Sequence, residues 1–152
     1  MDVYLIIGDA NTGKSSLIRC LTGCAQYGTG NFALTNGTTI STYVVISSLQ
    51  ESAISPSSFI QDVQDALKDG RIDPKLEAAV LVPLREDSVN DYPAASQYIT
   101  EFENAGWTIV KTALLDSQTP TSNYPHCQGV TDVMSKPINV SAAAVRQHFG
   151  WI

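Results

Sequence analysis

A chain of 152 residues is long enough to bury one compact core and short for two, so residues 1–152 read as a single domain. Its composition, 43% hydrophobic and 16% charged, excludes a disordered polymer, and no apolar run reaches the roughly 18 residues that a bilayer span requires. A formal charge of −6 without any Lys/Arg cluster disfavours direct nucleic-acid binding, and the absence of a signal-like leader points to a cytoplasmic protein.

The chain opens on Asp2–Ile7, where Val3, Tyr4, Leu5, Ile6 and Ile7 form a continuous apolar run. That is the pattern of a central parallel strand covered on both faces. Gly8 interrupts it. Ser15 to Leu21 then carries Leu17, Ile18 and Leu21 at helical spacing, with Thr22-Gly23 as a stop signal. Cys20 and Cys24 lie four apart on this helix, and with Cys127 they make an odd number of cysteines. They read as reduced, buried apolar side chains in place of a disulfide framework or a metal site.

Ala25 to Gly37 is rich in Gly, Asn and Thr and reads as a loop or irregular hairpin to which no element is assigned. Thr38 to Ser48, with Ile40, Tyr43, Val44, Val45 and Ile46, predicts the second main strand. Ser55-Pro56 starts a helix whose apolar face is Phe59, Ile60, Val63 and Leu67, and Gly70 ends it. Ala78 to Leu84 is a third strand. A helix over Asn90 to Ala105 with Tyr98, Ile99 and Phe102 inward follows, and then a fourth strand over Trp107 to Leu115. A polar loop with Pro120, Pro125 and Pro137 leads to a closing helix from Val140 to Phe149, with Ala142, Val145 and Phe149 inward. Strands alternating with helices predict an α/β protein, a three-layer α/β/α sandwich on a mostly parallel sheet. Ligands then belong at the carboxyl ends of the strands.

One motif carries chemistry. Gly8, Gly13, Lys14 and Ser15 satisfy G-x-x-x-x-G-K-[ST], with a strand before and a helix after. Such a loop curls its backbone N–H groups, here from Gly8 through Asn11, Thr12 and Gly13, around an anion, and the helix adds its positive dipole. Lys14 is expected to reach the β- and γ-phosphates and to serve catalysis, the Ser15 hydroxyl to ligate Mg²⁺, and Ser16 to reach the α-phosphate. Asp9 reads as a solvated turn residue, since a carboxylate there would repel phosphate.

Turnover needs a carboxylate at the end of a neighbouring strand. The strand YVVIS ends instead in Ser47 and Ser48, which leaves Glu51 just beyond as the candidate catalytic acid. Arg85, Glu86 and Asp87 follow the third strand and Asp116 the fourth, where Arg85 could stabilise phosphoryl charge and Asp116 could contact a base or sugar; a solvated loop explains each as well. Thr38 and Thr39 read either as γ-phosphate-sensing hydroxyls or as a strand opening. His126 and Cys127 are sequence neighbours without a third partner, a poor basis for a nucleophile pair.

The segment GDANTGKS resembles the P-loop NTPase superfamily, which implies the P-loop NTPase fold, a bound nucleoside triphosphate and Mg²⁺. Tyr43 to Asp116 is similar in layout to the ParA/MinD-like ATPases, with TYVVISSLQES and AAVLVPLREDS as successive strands and Pro83 in the place of that group's proline. Neither D-x-x-G nor N-K-x-D occurs, so ATP is expected over GTP. The resemblance implies a Mg²⁺-dependent ATPase that switches its association with a second copy or a protein partner. Two other functions stand beside it: a small kinase, for which only Arg71, Arg85 and Arg146 are available to build a lid, and a nucleotide-binding module without turnover.

Overall fold

The computed structural model describes residues 1–152. Six strands, β1 (Asp2–Ile7), β2 (Gly28–Ala33), β3 (Thr39–Val44), β4 (Glu77–Leu84), β5 (Thr108–Leu115) and β6 (Cys127–Val130), form one sheet. Four helices accompany it: α1 (Lys14–Thr22), α2 (Pro56–Lys68), α3 (Ala95–Asn104) and α4 (Ile138–Phe149). Short 3-10 turns cover Thr121–Asn123 and Val133–Ser135. The strand order is β2-β3-β4-β1-β5-β6, parallel throughout except for the β2–β3 hairpin.

The period of two along β1 explains the layering. Val3, Leu5 and Ile7 face one way, joining Val80, Val82 and Leu84 of β4 under Phe59 and Val63 of α2 and Tyr98 and Phe102 of α3. Tyr4 and Ile6 face the other way, with Leu81 and Leu115, under Leu17 and Ile18 of α1 and Val145 and Phe149 of α4. Two helices on each face make the three layers, and β1 is buried on both sides because it lies at the centre.

Pro83 sits inside a central strand, where a missing N–H should break the ladder. β3 pairs with β4 only as far as Val44 opposite Leu81, so Pro83 lacks its donor where the neighbouring strand has already left. Its carbonyl still accepts from the Leu49 N–H at 3.3 Å.

The structure departs from the sequence expectations at several points. Gly28–Ala33 is a regular antiparallel edge strand, within a stretch left without an element. Its half-buried positions are Gly28, Gly30 and Phe32, so two of the three lack the apolar side chain that would announce a strand. β6 lies in the expected polar loop; its four residues pair with β5 at the opposite edge. α3 begins at Ala95, later than the expected Asn90, because the residue before Pro93 avoids the helical region and Asn90 takes φ 53°. β3 ends at Val44, before the expected Ser48. Leu67 is 39% exposed and Ala66 takes its place on the buried face of α2.

Because β1, β3, β4, β5 and β6 are parallel, their carboxyl ends share one rim, where residues 8–13, 45–55, 85–94 and 131–137 lie with Asp116 and Ser117; the rest of 116–126 runs back to the amino end of β6. β1 passes to α1 on one face while its neighbour β4 passes to α3 on the other. Neighbouring strands that part in this way open a crevice at the rim.

Candidate functional site

The loop after β1 is anchored before it turns. The Gly8 N–H donates to the Leu84 carbonyl of β4 at 3.1 Å, and a Cβ at Gly8 would lie 2.6 Å from Thr12 Oγ1 and 3.2 Å from Leu115 Cβ. Any larger residue must push Thr12 aside or press on β5. Asn11 (φ 60°) and Gly13 (φ 86°) adopt the left-handed conformation that folds the chain back into α1. Behind Gly13 stand Val133 and Met134, whose Cγ1 and Sδ would be 3.2 and 3.1 Å from an added Cβ.

Lys14, the first residue of α1, is 6% exposed, and its Nζ donates to the Gly8 carbonyl at 2.9 Å and the Asp9 carbonyl at 2.6 Å. An ammonium has three N–H donors. Burial pulls its pKa below the ordinary lysine value; the Glu51 carboxylate opposes that shift and the Arg85 guanidinium adds to it. Ser15 Oγ donates to the Ile46 carbonyl at 3.1 Å, tying α1 to the segment after β3, and Thr12 Oγ1 donates to the Asp9 carbonyl at 2.8 Å. Asp9, Asn11 and Ser16 are exposed.

The segments after β3 and β4 are locked by Gln50, a residue that sequence reasoning missed. It is 1% exposed; its Oε1 accepts from the Arg85 N–H at 3.0 Å while its Nε2 donates to the Arg85 and Pro93 carbonyls at 2.8 and 3.2 Å. Nothing in its neighbourhood in the chain distinguishes it from a solvated loop glutamine. Next to it, Glu51 Oε1 pairs with Arg85 Nη1 at 3.2 Å. Arg85 Nε and Ser48 Oγ are buried without a partner.

The remaining rim acids are engaged. Glu86 accepts from Ser117 Oγ at 2.7 Å and from the Tyr124 hydroxyl at 3.3 Å. Burial, with Glu86 adding to it, pushes the Tyr124 phenol up to about 12 and the nearby Cys127 thiol up to about 11. Asp116 (φ 45°) directs one carboxylate oxygen to the Asp132 N–H and the other to the Val133 N–H at 3.1 Å, holding the turn that backs Gly13. Asp87 is exposed.

The other expected residues lie apart. Thr39 opens β3, which puts it and Thr38 at the amino ends of the strands, opposite the loop. The neighbours of β1 are β4 and β5; β3 is one strand further out, and of the segment that follows it, where Ser47 and Ser48 lie, the Ile46 carbonyl meets the loop through Ser15. No hydrogen bond joins His126 to Cys127, and all three cysteines are free. Arg71 pairs with Asp69 and Arg146 donates to the Leu21 carbonyl, so Arg85 is the one arginine of the three beside Lys14. No trio of His, Cys, Asp or Glu side chains converges as a metal site; a divalent cation would rest on Ser15 Oγ and oxygens of its ligand.

No protein-family model matches the chain, and neither a curated protein nor a solved structure matches it. No helix is long and apolar enough to cross a membrane.

Proposed function

We propose that this chain is a P-loop NTPase in fold and function: Gly8–Ser16 holds the phosphates of ATP with Mg²⁺, and the nucleotide state governs association with a second copy or a protein partner. The observation that carries the reading is the buried Lys14 ammonium, held on two carbonyls of a glycine loop between a central strand and a helix. A cation kept there against desolvation, with a donor to spare, suits an oxyanion. Asn11, Thr12 and Gly13 supply backbone N–H groups, that of Gly8 being held by the Leu84 carbonyl; Ser15 offers the hydroxyl for Mg²⁺ and Ser16 a donor to the α-phosphate, while Asp116, expected at a base or sugar, has both carboxylate oxygens on backbone N–H groups. Glu51 is the acid whose charge bears most on Lys14 and the candidate to orient an attacking water.

Titration calorimetry with Mg·ATP, Mg·GTP and Mg·ADP tests the binding. Wild type is expected to bind ATP, and Lys14→Ala to lose about 1.5–3 kcal/mol, roughly ten- to a hundredfold in affinity. Phosphate release then separates two readings. Release above background by wild type but not by Lys14→Ala supports an ATPase, and equal background rates remove it. A binding module without turnover is favoured by the engagement of Glu51 with Arg85, of Glu86 with Ser117 and Tyr124, and of Asp116 with two backbone N–H groups. Tight ATP binding without release would establish that second reading.

A further inference from the structure

We infer that the Glu51 carboxylate is a resident substitute for a phosphoryl oxyanion, occupying Arg85 until a ligand phosphate displaces it and makes Arg85 the second cationic ligand of the site. The inference rests on the nucleotide reading above and names a residue and a regulation that the loop motif does not supply.

Arg85 has donors to spare. A guanidinium has five donors in a planar fork suited to two oxygens of one anion. Here a single Nη1 contact to Glu51 is its only side-chain hydrogen bond, and Nε is buried with no partner. Gln50 grips the Arg85 backbone through both N–H and C=O, so the guanidinium projects from a fixed base. A buried, unused donor on a fixed cation is costly to leave unmade, and a bidentate oxyanion would satisfy it once release of Glu51 lets the guanidinium turn toward the ligand. The present carboxylate does not.

The second cation is Lys14. Arg85 disfavours its charge and Glu51 favours it, so one carboxylate serves two positive groups. Lys14 makes its hydrogen bonds to carbonyls and none to Glu51, which leaves Glu51 held through Arg85 alone. With the Glu51 side chain 41% exposed and that of Arg85 22%, the ion pair is partly screened and weak. Displacing it is inexpensive.

Glu51 also rides on a segment able to answer. Residues 48–54 form a tight turn through Ser52 N–H to the Ser48 carbonyl (3.0 Å), Ala53 N–H to the Gln50 carbonyl (3.3 Å) and Ile54 N–H to the Leu49 carbonyl (2.9 Å). Ala53 sits at φ 57°, a conformation an alanine rarely adopts. Ser52 Oγ meets the Tyr27 hydroxyl at 3.1 Å, just before β2. Release of Glu51 would loosen this turn and its link to the β2–β3 hairpin, carrying occupancy of the loop to the edge of the sheet.

The test is calorimetric titration of Mg·ATP, Mg·ADP and Mg·pyrophosphate into wild type, Glu51→Gln, Arg85→Met and the double variant, with Asp9→Asn as a charge control and thermal melting as a check of folding. Glu51→Gln is expected to bind ATP about two- to fivefold tighter, and to lose that gain when Arg85 is replaced. Asp9→Asn, which removes a nearby charge with no partner at Arg85, is expected to act alike in both Arg85 backgrounds. If Arg85→Met fails to fold, Arg85→Lys keeps the charge without the fork and is expected to shrink the gain. In hydrogen exchange, ATP is expected to speed the amides of Ser52, Ala53 and Ile54. The inference is overturned if Glu51→Gln leaves affinity equal or weaker, if the gain survives without Arg85, or if those amides slow on binding. Tight wild-type binding with any of these results spares the nucleotide reading; no binding by any variant overturns both.

Discussion

Lys14 keeps its charge where burial disfavours it, and that choice has a signature in alkali. Its folded-state pKa lies below the ordinary 10.5, so between those values the unfolded chain holds the proton that the folded chain has released. Stability from this residue therefore rises with pH as 10.5 is approached. The difference in urea midpoint between wild type and Lys14→Met is expected to shift in favour of wild type over that window. Cys127 acts with the opposite sign. Its thiol rises from 9.0 to about 11, and Tyr98 and Tyr124 rise from 10.0 to about 12, each chiefly by burial. These groups resist ionisation in the fold, so their contribution is complete below the unfolded values and is lost as pH climbs through the folded ones. Net wild-type stability is expected to decline from near pH 9.0, and Cys127→Ala to delay the onset to near 10.0, where the tyrosines begin to titrate. An unchanged onset in urea titrations would show that Cys127 is hydrated in the folded chain.

At the scale of elements, the turn from β1 into α1 depends on what stands behind it. A methyl at Gly8 must displace Thr12 Oγ1 at 2.6 Å or press on Leu115, and Gly8→Ala is expected to cost about 1–3 kcal/mol, read from urea unfolding. Asp116 supports the same turn from the other side by capping the Asp132 and Val133 N–H groups. Asp116→Ala is expected to lower stability by about 1–2 kcal/mol while leaving the ratio of ATP to GTP affinity unchanged. A shifted ratio with stability intact would instead place the carboxylate on the base. The β1–loop–α1 unit was legible in the sequence because its signals are local: an apolar run, two glycines at fixed spacing and a helical period. So was the start of α2, where Ser55 Oγ accepts from the Ser58 N–H and Pro56 opens the helix. β2 and β6 were not, since an edge strand is defined by its partner, and Gly-Thr-Gly-Asn or Cys-Gln-Gly carries no alternation of its own. The partners of the site were hidden for the same reason. Gln50 reaches Arg85 across 35 positions of sequence and Ser117 reaches Glu86 across 31, separations at which only the sheet order decides contact.

Across the whole molecule, the hairpin edge is fastened by the last residues of the chain. Trp151 stacks on Phe32 with centroids 4.7 Å apart and an interplanar angle of 7°, and it meets Tyr4 and Phe149 at 5.1 and 5.5 Å. The Thr35 N–H donates to the Gly150 carbonyl and the Ile152 N–H to the Ala33 carbonyl. Trp151→Ala is expected to cost about 3–5 kcal/mol and to speed amide exchange in β2 before the central strands. Uniform acceleration would show that the hairpin and the core open together. The sheet order has a second consequence, for synthesis. β1 is made first, yet its partners β4 and β5 begin at Glu77 and Thr108. This apolar strand therefore waits unpaired through the roughly seventy residues before β4 and gains its second partner only with β5, and the loop at its end has no β4 carbonyl or β5 side chain to rest on until then. Such non-local closure is slow and exposes an aggregation-prone segment. A holding chaperone is expected to meet this nascent chain at β1, before β4 is made.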